Sequence, residues 1–203
     1  MSDIILLGAS GHAKVIIDML HKTETDRKIV LLDDNEEVQG QYILGHKVVG
    51  RITDCMKYRD NQFVIAIGNN HIRKMLAEKY DLDYISVIHP SAVIAEDVII
   101  GRGTVVMAGA IVNSGTTIGE HCIINTAATV DHDGRLADYV HLSPGTHFGG
   151  TVTIGEESWL GVGSCCKNNI CIGEKVVVGV GGVVVHDILE AGTYVGVPVK
   201  KIK

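Results

Sequence analysis

From Ile94 to Val184 every sixth residue is apolar without interruption: Ile94, Ile100, Val106, Val112, Ile118, Ile124, Val130, Leu136, Leu142, Phe148, Ile154, Leu160, Cys166, Ile172, Val178 and Val184. The residue two places before each of these is small or β-branched, as in Ala92, Thr104, Ala110 and Val140. The residue after it is often Gly, Asn or Asp, types that tolerate tight turns and left-handed backbone, as in Gly101, Asn113, Asp131 and Gly155. Neither a helix of period 3.6 nor a strand of period 2 keeps one face at every sixth position over so long a stretch. The pattern therefore predicts short strands joined by corners, a β-helix of hexapeptide repeats.

A second period supports this reading, because Ile118-Gly119-Glu120, Leu136-Ala137-Asp138, Ile154-Gly155-Glu156 and Ile172-Gly173-Glu174 recur at intervals of eighteen. Three hexapeptides make one coil of a triangular prism, so the repeats give about five coils, and an inter-strand spacing of about 4.8 Å makes the prism about 25 Å tall. So short a stack with β-branched residues outside is expected to pack side by side with other prisms.

The first ninety residues follow a different rule. Asp3 to Ala9 reads as a buried strand, followed by Gly8-Ala9-Ser10-Gly11-His12 and a helix with Val15, Ile16, Met19 and Leu20 on one side. Lys28 to Leu32 is a second apolar run ending in Asp33-Asp34. Gln62 to Ile67 is a third, ending in Gly68-Asn69-Asn70 before a helix-like His71 to Tyr80, and Tyr84 to Ile88 reads as a last strand. Alternating strands and helices predict a small Rossmann-like parallel α/β sheet over 1–88, with the prism and a tail over 89–203. In such sheets the ligand lies beyond the carboxyl ends of the strands. Those ends carry Gly8, Ser10, Gly11, His12, Asp33, Asp34, Gly68 and Asn69, which suit a nucleotide. The loop departs from G-x-G-x-x-G, so a redox dinucleotide is not indicated.

Composition narrows the classes. A net charge of −6 argues against nucleic acid as a bulk partner, and only 4% of residues are aromatic, which fits a core of small and branched side chains. The absence of a leader pattern or a long apolar run predicts a cytoplasmic protein that does not enter membranes. Five cysteines without C-x-x-C spacing read as reduced thiols, with Cys166 as core filling.

On the prism, Asp131-His132-Asp133 places an imidazole between two carboxylates at a corner, the arrangement a general base needs. His141 and His147 fall on different faces, and the His-x4-His pair of prism-type carbonic anhydrases is missing, so no metal is expected. His132 and His141 lie half a coil apart, which suits a site shared between neighbouring chains.

The chain resembles the bacterial sugar acyltransferases of the sialic acid O-acetyltransferase group, and most of all the UDP-4-amino-sugar N-acetyltransferases. The resemblance rests on Gly8-Ala-Ser-Gly-His-Ala-Lys14, Leu32-Asp-Asp34, Ile65 to Lys74, Asn125, His132-Asp133, His141 and Val195-Gly-Val-Pro-Val-Lys200. It implies a left-handed β-helix, a homotrimer, and transfer of an acetyl group from acetyl-CoA to a UDP-linked 4-amino-4,6-dideoxy sugar in surface-glycan biosynthesis. Carried over by motif, His132 is the base and Asp133 its partner, where the family commonly has a glutamate. Ser10, Gly11, His12, Asp33, Asp34, Gly68 and Lys74 hold the UDP-amino sugar, while His141, Gly150, Val162 and Val180 line the acetyl-CoA groove. The alternatives are O-acetylation of a sialic acid or another sugar by the same base, and a non-catalytic scaffold that binds nucleotide sugars.

Overall fold

The structure, a computed structural model, describes residues 2–23 and 26–203. The amino-terminal unit contains β1 (Ile4–Leu7), α1 (Gly11–Lys22), β2 (Ile29–Leu32), β3 (Tyr42–Ile43), β4 (His46–Gly50), β5 (Gln62–Ile65), α2 (Asn70–Lys79) and β6 (Asp83–Tyr84). Its sheet runs β3-β4-β2-β1-β5-β6, parallel apart from the β3–β4 hairpin. Every residue of β1 and β2 is buried, as expected of parallel strands covered on both faces. Ile5, Leu7, Val30, Leu32, Phe63 and Ile65 face one core together with Ile52 and Cys55. Ile4, Leu6, Leu31 and Val64 face the other, with Ala13, Ile16, Ile17 and Leu20 of α1.

That second core does not stop at α1. Val87, Val105, Met107 and Ile123, from the first face of the prism, belong to it. The prism and the α/β sheet are thus fastened through shared apolar burial, and the strand ends of the sheet meet the prism at a defined place.

The prism has three faces built from parallel two- or three-residue strands, the first extended at its end by the five-residue Gly192–Gly196 strand and an antiparallel Val199–Lys201 strand. The first runs from Val87–Ile88 through Val105–Val106, Ile123–Ile124, His141–Leu142 and Trp159–Leu160 to Val176–Val178 and the Gly192–Gly196 strand. The second contains Thr129–Val130, His147–Phe148 and Cys165–Cys166; the third contains Thr117–Ile118, Arg135–Leu136 and Thr153–Ile154. Residues eighteen apart pair throughout, as Ile124 does with Leu142 and Val130 with Phe148. The sixth-position residues fill the interior, with Ile118, Ile124, Val130, Leu142, Ile154 and Leu160 from all three faces buried in one core. Truncating one of these to alanine would cost about 2–5 kcal/mol.

Three details differ from the sequence reading. The left-handed corner residues lie three places after the inward apolar residues from Ile100 to Val178, at Gly103, His121, Asp133, Tyr139 and Thr151 and their equivalents, and not directly after them. The glycines that do follow directly serve close stacking: a Cβ on Gly155 would stand 2.5 Å from the backbone at Gly173 and Glu174 in the next coil. The Tyr84 to Ile88 run is two strands, because Asp83–Tyr84 pairs with β5 while Val87–Ile88 pairs with Val105–Val106 and begins the prism. Val15 is exposed; Ala13 and Ile17 take the inward positions beside Ile16, Met19 and Leu20.

Candidate active site

His132 stands at the edge between the second and third faces, after the Thr129–Val130 strand and before Arg135–Leu136. The next residue, Asp133, adopts φ of 59°, a conformation Asp tolerates better than most residues. That turn brings Asp133 Oδ2 within 2.7 Å of His132 Nδ1. Asp131 does not touch the ring. Its Oδ1 accepts from the His132 backbone N–H and from Asn113 Nδ2, so it fixes the corner and acts on the imidazole only through its charge. The hydrogen bond to Asp133, and then the charge of Asp131, raise the His132 pKa above its ordinary value.

Gly150 lies one coil beyond His132 on the same edge, and a Cβ there would stand 2.4 Å from His132 Nε2. The missing side chain is what lets the ring lie over the neighbouring coil. With Nδ1–H committed to Asp133, Nε2 is the basic nitrogen, and it is accessible because the side chain is 59% exposed.

A second group of residues gathers where β1 and β5 end against the first prism face. His141, only 8% exposed, donates from Nδ1 to the Gly68 carbonyl at 3.2 Å, leaving Nε2 3.3 Å from Asn125 Nδ2. Trp159 stacks on its ring at 5.7 Å between centroids and is anchored by its indole N–H to Ser143 Oγ at 2.8 Å. Burial, followed by the positive charge of Arg73, lowers the His141 pKa to about 3 and that of His12 to about 4. His12 Nε2 is buried without a hydrogen-bond partner. These are neutral imidazoles held in a fixed setting.

The remaining residues singled out from the sequence fall into four sets. Ser10 and Gly11 are exposed at the start of α1, beside the β1 end. Asp33 braces that loop, accepting from the Ala9 N–H at 2.7 Å and from Asn35 N–H at 2.8 Å, while exposed Asp34 accepts from Ile52 N–H at 2.9 Å. The ammonium of Lys74 is held by Glu156 and Glu157 of the prism, which raise its pKa.

Val162 and Val180 are exposed on the edge between the first and second faces, across the second face from the His132–Gly150 edge. Val180 lines an apolar hollow of about 130 Å³ with Trp159, Gly161, Val177 and Gly179. Through Trp159 and Val177 it continues into a cleft of about 200 Å³ bordered by Asn69, His71, Glu157 and Lys175. Sequence reasoning had not marked Trp159, nor Arg73, whose environment depends on contacts far along the chain.

Residues 3–80 match the family model described as the PglD N-terminal domain. The chain is similar to UDP-N-acetylbacillosamine N-acetyltransferase of Bacillus subtilis (strain 168), 38% identical over 115 residues, and the match spans 53% of this chain and about half of that relative's length (52%). Its fold is similar to the acetyltransferase domain of PglB from Neisseria gonorrhoeae FA1090, with a TM-score of 0.95, 37% identity and 100% of both chains covered. The chain belongs to the nucleotide-amino-sugar N-acetyltransferases of the hexapeptide family. Within that family, the PglB domain has been solved with acetyl coenzyme A. PerB from Caulobacter crescentus has been solved with CoA and GDP-perosamine, at 35% identity, a TM-score of 0.93 and coverage of 100% of this chain and 98% of that one.

The left-handed β-helix after a small α/β domain is thus the architecture of this chain. Among the described residues no His, Cys, Asp or Glu side chains gather in threes as metal ligands would, and no helix is long and apolar enough to cross a membrane.

Proposed function

We propose that this protein transfers the acetyl group of acetyl-CoA to the amine of a UDP-linked 4-amino-4,6-dideoxy sugar, as a cytoplasmic homotrimer, with the amino-terminal α/β domain receiving the nucleotide sugar and the prism carrying out the transfer. The observation that carries the reading is the His132–Asp133 pair, with its Nε2 free over Gly150 on an exposed prism edge. Only the unprotonated amine is nucleophilic. His132 Nε2 takes its proton as nitrogen attacks the thioester carbonyl, Asp133 stabilises the imidazolium, and the thiolate of CoA leaves. Positioning of two bound substrates supplies most of the remaining rate.

The placement of the other residues supports a site built by two chains. In one chain the base occupies the edge between the second and third faces, whereas His141 and Trp159 lie on the first face and Val180 on the edge beside it. Packing prisms side by side sets the His132–Gly150 edge of one against the Trp159–Val180 groove of the next. Acetyl-CoA then lies along the groove past Gly150, Val162 and Val180. The sugar reaches it from the strand-end cleft of Ser10, Gly11, His12, Asp34 and Gly68, and His141 stands where the two ligands meet.

A thiol-release assay tests this with UDP-, GDP- and dTDP-linked 4-amino sugars, the free amino sugars, and free sialic acid. Turnover confined to nucleotide-linked amines is expected. Turnover of a free sugar hydroxyl in preference would replace the reading by O-acetylation.

A further inference from the structure

Arg73 is 1% exposed, and every N–H of its guanidinium is taken. Nε donates to the His121 carbonyl at 2.6 Å and one Nη2 bond goes to the Tyr139 carbonyl at 2.9 Å, both on prism corners. Nη1 donates to the carbonyls of Ile67 at 3.1 Å and Gly68 at 3.2 Å, and Nη2 also donates to Asn70 Oδ1 at 2.9 Å. The cation therefore ties the β5 turn of the α/β domain to two successive coils of the prism. Glu157, whose field reaches it, is engaged by Lys74 and His71.

A buried charge held only by neutral acceptors is a costly way to fill space, and apolar residues of similar volume usually serve packing better. Its value lies in geometry. A guanidinium presents five donors in a rigid fork, whereas an ammonium presents three from one point. The Gly68 carbonyl is the common acceptor of Arg73 and of His141 Nδ1, so the position of one fixes the other. Asn70 completes the clamp from its other end, donating to the Glu157 and Ser158 carbonyls at 2.9 and 3.1 Å.

We propose that Arg73 is a positioning residue of the transfer site: by clamping the Gly68–Asn70 turn to the prism at His121 and Tyr139, it sets His141 in register to receive the nucleotide-linked amino sugar. The role rests on the functional reading above. Arg73 has no donor left for a ligand and acts through the Gly68 carbonyl.

The test compares R73K and R73M with the wild type, using the UDP-linked 4-amino-4,6-dideoxy sugar and acetyl-CoA as separate titrants. Expected is a rise of tenfold or more in the sugar KM for R73M and an intermediate rise for R73K, with acetyl-CoA affinity within threefold. A folded R73M with sugar KM within twofold of wild type overturns the proposal, as does an equal loss for both substrates, which marks a general packing role. If R73M does not fold, N70A removes one acceptor and both of its bonds to the prism; a sugar KM raised about threefold or more supports the clamp, and an unchanged one overturns it. If the wild type itself turns over no nucleotide-linked amine, the functional reading fails, and hydrogen exchange still decides the clamp. R73K should speed exchange at the first turn of α2 at least tenfold while the prism amides remain unchanged, and equal protection in both proteins overturns it.

Discussion

His132 Nδ1 lies 2.7 Å from Asp133 Oδ2, and the two residues are neighbours in the chain whose side chains meet because Asp133 takes a left-handed turn. This contact orients the imidazole, commits one nitrogen to the carboxylate and leaves Nε2 with its lone pair over Gly150. A base, its partner and the space for the base are thus built from one corner and the corner stacked on it.

Replacing His132 by alanine should lower kcat by about 10²–10⁴-fold, the usual cost of losing a general base, while acetyl-CoA affinity changes little. Steady-state kinetics with calorimetric titration of acetyl-CoA measures both. Retention of more than half the wild-type kcat would remove His132 from the mechanism.

Asp133→Asn should shift the acid limb of the kcat/KM profile to lower pH. Asp133 raises the His132 pKa, the base must be unprotonated to act, and activity rises with pH through that pKa. Losing the carboxylate lowers the pKa, so the limb moves down, and the maximal rate falls because the weaker base removes the proton less readily. An unmoved limb would make Asp133 a structural residue only.

Gly150→Ala is expected to damage turnover without damaging the fold. The new Cβ would meet His132 Nε2 at 2.4 Å, and the exposed imidazole can swing aside at little cost to stability. We expect kcat to fall at least tenfold while the thermal midpoint stays within a few degrees of wild type. Unchanged kcat in the alanine variant would refute the stacking argument.

Stability should decline as pH falls from about 6.5. His12 and His121 are lowered to about 4 and His141 to about 3, chiefly by burial, against an unfolded value of 6.5. Between those limits the unfolded chain binds protons that the folded chain does not, so folding free energy is lost on acidification, at up to about 1.4 kcal/mol per pH unit for each histidine. His132 is raised and works in the opposite sense, contributing below the unfolded value and losing its contribution as pH rises through its folded pKa, but it is exposed. Denaturant titrations at several pH values should show the slope near pH 5 reduced by about one proton in His121→Asn, a residue that tolerates the left-handed φ of 52° at this corner. An identical slope would mean that His121 titrates normally in the folded state.

A trimer is expected in solution, with its transfer sites shared between chains. Light scattering gives the mass, and subunit exchange between inactive His132→Ala and His141→Ala proteins should restore part of the activity. No recovery despite demonstrated exchange would place both histidines of a site in one chain.

The six-residue apolar period by itself determined the prism, its eighteen-residue coil and the inward series from Ile100 to Val184, because burial along each short strand is a local property of the chain. The His132–Asp133 pair was legible for the same reason: its partners are adjacent in sequence, and only the corner had to be inferred. The left-handed positions were misplaced because a glycine serves equally for a positive φ and for the close stacking seen at Gly155, and residue type does not tell them apart. What the tertiary structure decided lies at longer range. Docking of α1 between the sheet and the first prism face brought Gly68 to His141, seventy-three residues away, and surrounded Arg73 with carbonyls of both domains. The same docking turned Lys74 toward Glu156 and Glu157, where its charge is satisfied by the prism. No periodicity encodes those meetings, since they depend on how two apolar surfaces settle against each other and on which buried polar groups must then find partners.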